Sequence, residues 1–134
     1  MTTALETFTV LNMFDDLARA DQEYVEATME ALAAKDAELD AEERRNLVKT
    51  ETYMLNKDTL GKNEAERAAA LSRLLEADPT WQQDSTVVDE AKRQLRLQER
   101  RLLVAELRRK RLNRFIDWST AEKLHTASML RRTP

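Results

Sequence analysis

Apolar residues recur every three or four positions between about residues 86 and 118, and neither Gly nor Pro interrupts them. This spacing returns to one face of an α-helix, so it predicts one long helix. Gln98 and Arg109 are polar positions within the repeat. The repeat defines a primary stripe, expected to form the core or an oligomer contact: Val88, Ala91, Leu95, Leu102, Ala105, Leu112 and Ile116.

A secondary stripe lies on another face of the same predicted helix, where apolar residues alternate with arginines. It consists of Leu97, Val104, Leu107 and Trp118, interleaved with Arg100, Arg111 and Arg114. One antiparallel neighbour covers only one face of a helix, so two apolar faces predict two neighbours. We therefore expect a homo-oligomer, with a homodimer as its simplest form.

The stretch from residue 20 to about 60 also has helical spacing and two apolar faces. Its bulky stripe consists of Val25, Met29, Leu32, Leu39, Leu47 and Met54. Its small stripe consists of Tyr24, Ala27, Ala31, Ala34, Ala41, Val48 and Leu55. Small residues permit close approach of a second helix. Polar residues at positions 36 and 43 and a charged cluster at 40–45 interrupt the bulky stripe, so a kink or break is expected there.

The clearest boundary is Gly61-Lys62-Asn63, where one helix is predicted to end and the next to begin. Gly61, the only glycine, suits the residue just past a helix C-terminus because it has no Cβ to clash at positive φ. Asn63 is predicted to cap the next helix, with Glu66 accepting from the cap's own amide. That helix should run to about residue 77.

Two further boundaries are predicted downstream. Asp78-Pro79 should end the third helix and start a short turn. Thr86 is the expected cap of the long helix, and Ser119 with Glu122 forms a capping box that predicts a separate C-terminal helix.

Composition favours a fold made only of helices. The sequence has one Gly, two Pro and 35% charged residues, whereas sheets need turns. A length of 134 residues suits one domain. The prediction is an all-α single domain spanning 1–134, a long helical hairpin or bundle with coiled-coil-like packing. Its helices should cover about residues 4–18, 20–60, 64–77, 86–118 and 120–130.

The net charge of −3 hides a strong asymmetry along the chain. Residues 1–43 hold twelve acids and two bases, residues 44–91 nine acids and seven bases, and residues 92–134 four acids and thirteen bases. Acidic and basic helices that lie antiparallel would complement each other and set their register. The other interpretation is an exposed basic surface that binds nucleic acid.

The basic part of the long helix is the candidate surface for nucleic acid or a protein partner. It consists of Arg93, Arg96, Arg100, Arg101, Arg108, Arg109, Lys110, Arg111 and Arg114. Most of these share one side of the helix with the secondary stripe, whereas Arg109 lies roughly opposite. Nucleic-acid binding there would depend steeply on salt. Phe115 and Trp118 are too few for a base-stacking platform.

No catalytic, cofactor or metal pattern stands out. The chain has no cysteine, and its one histidine, His125, gives at most one Glu-x-x-His pair with Glu122. Lys62 after Gly61 lacks the upstream glycine and the Ser or Thr of a phosphate-binding loop. We expect a non-enzymatic protein without cofactors. No signal peptide or membrane-spanning run is recognisable, so no membrane association and a cytoplasmic location are predicted.

The junction Gly61-Lys62-Asn63 is followed by Arg67, lies after an acidic helix and precedes a long Leu- and Arg-rich helix. This arrangement, over about residues 20–116, resembles small helical-hairpin proteins encoded by tailed phages and prophages. The segment from Ser119 onward departs from that pattern. The resemblance implies a phage setting in a host cell cytoplasm and implies no catalytic residues.

The expected function is therefore that of a phage-type accessory or regulatory protein, which binds a protein partner in DNA metabolism or host takeover. One alternative is nucleic-acid binding through the basic residues 92–114. Another is a structural, assembly or chaperone role in a virion. The acidic N-terminal helices also fit a protein that imitates the charge of DNA.

Overall fold

A computed structural model of the protein describes the backbone of residues 4–132 and the side chains of residues 12–131. Three helices account for nearly all of this part of the chain: α1 (Ala4–Asn56), α2 (Glu64–Glu76) and α3 (Pro79–Arg132). Helices α1 and α3 pack together as a hairpin. The predicted all-α class is confirmed.

The chain groups into two compact units. The first comprises Met1–Met29 with Glu99–Pro134, and the second comprises Glu30–Gln98. In the first unit Ala20, Ala27 and Ala105 are buried, and in the second the buried apolar residues are Ala41, Leu60, Leu75, Val88 and Leu95. The prediction of one domain stays a prediction.

The primary stripe forms the inner face of α3 in both units. All seven of its residues are buried or half-buried, and Val88 is the largest side chain among the described residues that is completely buried. The small stripe supplies the opposing face of α1, where Ala27 and Ala41 are buried and Ala31 and Ala34 half-buried. The α1 side of the seam is therefore made largely of small side chains, whereas α3 contributes larger ones such as Leu95 and Leu102.

Leu55 is the exception within the small stripe, because it is 85% exposed. The guanidinium of Arg45 lies 5.4 Å from the ring centroid of Trp81, which is in the first turn of α3. Since the two helices run antiparallel, the part of α1 well beyond Arg45 has passed the beginning of α3. Leu55 consequently has no residue of α3 opposite it.

Helix α1 continues through both places where the sequence predicted an interruption. The predicted end at residue 18 and restart at residue 20 are wrong, and of the kink or break predicted within residues 40–45 the break is wrong. The residues at both places are good helix formers, and no Gly or Pro is present to stop them. Ala41 and Arg45 also contact α3 from the second of these segments, so tertiary packing supports the helix there.

Helix α1 ends four residues earlier than predicted, at Asn56 rather than at residue 60. The Asn56 side-chain amide donates to the carbonyl of Thr52 over 2.9 Å. The Asn56 carbonyl accepts from both the backbone amide and the hydroxyl of Thr59, at 2.9 and 3.0 Å. These local hydrogen bonds replace the next helical turn.

Helix α2 begins where the sequence predicted, with Asn63 as its cap. The Asn63 side-chain oxygen accepts from the backbone amide of Glu66 over 2.8 Å. The Glu66 carboxylate reaches one residue further back than a capping box requires, because it accepts from the amide of Lys62 over 3.1 Å and not from that of Asn63. The predicted partner of Glu66 was therefore wrong by one residue.

Gly61 has a positive φ of 146°, as its residue type suggested, but it does not follow directly on a helix end. It lies in the junction five residues beyond Asn56. A Cβ at this position would come within 2.8 Å of the Glu66 Cβ and 3.4 Å of the Arg67 backbone nitrogen. The glycine thus permits both the backbone conformation and the close approach of the first turn of α2.

Helix α3 starts at Pro79 and continues to Arg132, so the separate helices predicted to start after Thr86 and Ser119 are wrong. The carboxylate of Asp78 accepts from the Thr80 amide over 2.9 Å, which makes Asp78 the cap of the long helix rather than of a short turn. Thr86 instead donates its hydroxyl to the Gln82 carbonyl one turn earlier. The primary stripe keeps its spacing through Ile116 and half-buried Ser119, and this continuity outweighs the local capping signal.

We predict that Gly61→Val destabilises the protein by about 1 kcal/mol or more, because valine adds a Cβ at a positive φ. Lys62→Val is the matched control, since it places the same side chain at the next exposed position with an ordinary φ. Urea unfolding of the two variants and the parent protein measures the difference. Equal midpoints for both variants would show that the junction does not depend on Gly61.

Candidate functional site

Some of the predicted basic residues of α3 form ion pairs within their own helix. The Nη1 atom of Arg93 lies 3.0 Å from the Glu90 carboxylate, and the Lys110 ammonium lies 3.0 Å from that of Glu106. Both pairs are exposed at the usual helical spacing, where such pairs contribute only a few tenths of a kcal/mol, about 0.3–0.5. They reduce the positive charge of α3 locally.

Two other arginines join α3 to α1 in the first unit. Arg108 donates to both carboxylate oxygens of Glu23, at 3.2 and 3.0 Å. The Arg109 Nε lies 2.8 Å from an oxygen of Asp21, and its guanidinium carbon lies 4.9 Å from the ring centroid of Tyr24. Arg109 is half-buried in the seam, as its place within the primary stripe indicated. The interpretation that acidic and basic helices complement each other is supported at these positions.

A similar pair occurs in the second unit, where the Lys92 ammonium lies 3.7 Å from the Glu42 carboxylate. Lys92 and Glu42 belong to α3 and α1 respectively. Ion pairs therefore accompany the helix seam in both units, and they help to fix which residues of α1 lie opposite which residues of α3.

Four predicted surface arginines remain exposed and, within residues 12–131, form no ion pair with a carboxylate. They are Arg96, Arg100, Arg111 and Arg114. In the first unit, Arg111 and Arg114 lie among exposed apolar residues of the secondary stripe. We define the basic apolar face as Val104, Leu107, Arg111, Arg114 and Trp118, whose spacing of three and four residues places them along one side of α3.

The apolar members of the basic apolar face are large and open to solvent. Val104 is 65% exposed and Trp118 is 61% exposed. The neighbouring Phe115 ring lies 6.1 Å from the Trp118 ring, centroid to centroid, and is also exposed. An exposed cluster of this kind, rimmed by charges, is typical of an interaction surface.

The bulky stripe of α1 is also exposed, so the larger apolar side chains of this helix face away from the seam. In the second unit Leu32 is 62% exposed and Leu39 is 49% exposed. Asp36 and Glu43 are exposed and lie between and beyond them at helical spacing. We define the acidic apolar face as Leu32, Asp36, Leu39 and Glu43.

The predicted junction residues have local structural roles. Lys62 and Asn63 supply the capping interactions of α2, and the Arg67 guanidinium donates from Nε to the Asn63 carbonyl over 3.3 Å. A cleft of about 420 Å³ is lined by Tyr53, Glu64, Arg67, Ala68 and Leu71. The junction holds α2 in place, and the geometry gives it no further role.

A second cleft, of about 460 Å³, lies between α1 and α3 in the second unit. Its lining consists of Ala34, Ala37, Thr86, Val87, Glu90, Ala91 and Gln94. Glu90 is its one ionisable group, and its carboxylate accepts from Arg93 and from the Gln94 amide. The cleft is therefore an apolar groove and has no pair of groups suited to acid–base chemistry.

Within the described residues there is no group of three or more His, Cys, Asp or Glu side chains arranged to hold a metal ion. Nor does any helix there have the length and apolar character needed to cross a bilayer. The non-enzymatic character and the absence of a cofactor stay predictions.

Comparisons with protein-family models, with curated proteins and with solved structures gave no match. The resemblance to phage-encoded helical hairpins therefore remains an expectation from the sequence.

We predict that Arg109→Ala lowers the free energy of unfolding by about 1 kcal/mol, because it removes the pair with Asp21, the contact with Tyr24 and the packing of its aliphatic stem. Arg96→Ala is the matched control on the exposed side of α3, outside the basic apolar face, and its effect should stay within about 0.5 kcal/mol. Urea unfolding measures both. Equal effects would mean that the inner position of Arg109 contributes nothing to stability.

Proposed function

We propose that this protein is non-enzymatic and acts by binding other protein chains through the outer faces of its long helices. The observation that carries the proposal is the direction of the side chains of α1. The alanines of its small stripe are buried or half-buried toward α3, whereas Leu32 and Leu39 and the rest of the bulky stripe face outward. A helix that packs only within its own hairpin would turn its leucines toward the core and its alanines toward solvent.

Burial of these outward residues supplies the free energy for association. Full burial of a leucine that was exposed contributes roughly 1.5–3 kcal/mol, so a few half-exposed leucines can dominate an interface. The cleft between α1 and α3 adds no acid–base pair to this picture, because Glu90 is its one ionisable group. Protein binding is thus the function that the described surface supports best.

The biological setting comes from the sequence resemblance alone. If the chain belongs with phage-encoded helical hairpins, its partner is expected to be a protein of DNA metabolism or of host takeover, met in the host cytoplasm. The outer faces of α1 and α3 are then the surfaces that such a partner contacts.

The exposed arginines favour nucleic-acid binding as a second candidate function. Arg96, Arg100, Arg111 and Arg114 form no ion pair within the described residues, so their charges are open to phosphates. If all four neutralise phosphates on duplex DNA, the logarithm of the binding constant falls with the logarithm of salt concentration with a slope of about −4. Titration of labelled DNA and RNA at several salt concentrations tests this candidate. A flat salt dependence or no binding at low salt would remove it.

We predict that a photo-crosslinking amino acid at position 39 captures a discrete protein in cells that express the variant, because Leu39 is at the centre of the outer face of α1. Ser72, which is exposed on α2, is the control position. Adducts are identified by gel mobility and mass spectrometry. The same adducts from both positions, or none from position 39, would contradict binding through this face.

A further inference from the structure

The acidic apolar face and the basic apolar face each carry large exposed apolar residues, and their charges are opposite. Leu32 and Leu39 on α1 alternate with Asp36 and Glu43. On α3, Val104, Leu107 and Trp118 flank Arg111 and Arg114. Both sets repeat at intervals of three and four residues, which is the spacing that lets side chains of one helix fit between those of another.

The charged side chains of these two faces form no ion pair within the described part of the chain. Asp36 and Glu43 form no ion pair there, and the same holds for Arg111 and Arg114. The ion pairs between α1 and α3 involve other residues, namely Asp21, Glu23 and Glu42 with Arg109, Arg108 and Lys92. Both faces thus remain available to a partner of opposite sign.

We propose that the basic apolar face of one copy docks on the acidic apolar face of a second copy. This rests on the proposed function, because it names the same chain as a protein partner. Leucines 32 and 39 of one copy pack against Val104, Leu107 and Trp118 of the other. The carboxylates of Asp36 and Glu43 meet the guanidinium groups of Arg111 and Arg114 at the edges of this contact.

Pairing of like faces is disfavoured by charge. Two basic apolar faces would bring four guanidinium groups together, and two acidic apolar faces would bring four carboxylates together, at an interface that excludes water. Pairing of unlike faces removes both conflicts. This contact is heterologous, since each copy contributes a different face. The copies therefore assemble into a closed ring or an open filament.

The test reverses the charges of each face separately. One variant carries Arg111→Glu and Arg114→Glu, and the other carries Asp36→Lys and Glu43→Lys. All four positions are exposed, so each variant should keep the helical circular dichroism of the parent protein. The mass in solution is measured by light scattering on nuclease-treated protein. The parent is expected at twice or more the 15.5 kDa of one chain, and each variant alone at the mass of one chain.

Mixing supplies the control that separates a specific contact from general damage. In an equal mixture each variant meets a face of opposite sign on the other, so the assembly mass should return to that of the parent. A single chain that carries all four substitutions should also assemble, because both of its faces are reversed. Restoration in both cases would identify the two faces as partners.

Three results would overturn the proposal: a parent protein that is monomeric, a charge-reversed variant that retains the parent mass, or a mixture that fails to reassemble. Failure of self-assembly and failure of the proposed protein-binding function give different results. A monomeric parent that still yields a foreign protein adduct from position 39 would keep the protein-binding function and remove self-assembly as its basis. A monomeric parent that also yields no adduct from position 39 would overturn both the protein-binding function and self-assembly.

Discussion

The small side chains that α1 contributes to its seam with α3 are the constraint on which the other features depend. Ala20, Ala27 and Ala41 are buried on α1, and the inner face of α3 opposite them carries larger residues, including buried Val88 and Leu95. A buried methyl group contributes roughly 0.8 kcal/mol, so such a seam gains its strength from repetition and from the close approach of the two helices. The larger apolar residues of α1 cannot enter that seam without separating the helices. Leu32 and Leu39 consequently lie outside it.

The row of alanines on α1 specifies register weakly, because shifting α1 by a turn exchanges one alanine for another opposite the larger residues of α3. The larger polar residues in and beside the seam remove this ambiguity. Arg109 fits between Asp21 and the ring of Tyr24, and Arg45 lies over Trp81 at the first turn of α3. Arg109, one of the two polar interruptions of the primary stripe, is therefore a position where register can be fixed.

The sequence predicted the parts of the fold that depend on long periodic patterns or on unusual backbone. The all-α class, the inward direction of the primary stripe, the bounds of α2 and the positive φ of Gly61 were correct. The predicted helix boundaries near residues 86 and 119 were wrong, because a capping residue only permits a helix to begin. No Gly or Pro occurs between Thr80 and Arg132, so nothing in the sequence obliges α3 to stop at Thr86 or Ser119. Which of the two stripes of α1 faces inward could not be read from spacing, because both repeat at helical intervals and differ only in side-chain size. The acidic and basic apolar faces depend on that choice, so they became recognisable only once the helices were in place.

The distribution of charge separates what holds the hairpin together from what its outer faces can bind. If the opposite charges of α1 and α3 served the hairpin alone, they would concentrate beside the seam, where Asp21 and Glu23 meet Arg109 and Arg108. Asp36 and Glu43 instead lie on the outer face of α1 beside Leu32 and Leu39, and Arg111 and Arg114 lie beside Val104, Leu107 and Trp118. An exposed apolar surface that carries charges of one sign repels copies of itself and attracts a surface that carries the opposite charge. Charge therefore selects the partner, while burial of the leucines supplies the affinity. The same arginines would attract nucleic acid if the basic apolar face were left open, and occupation of that face by an acidic helix would suppress this binding.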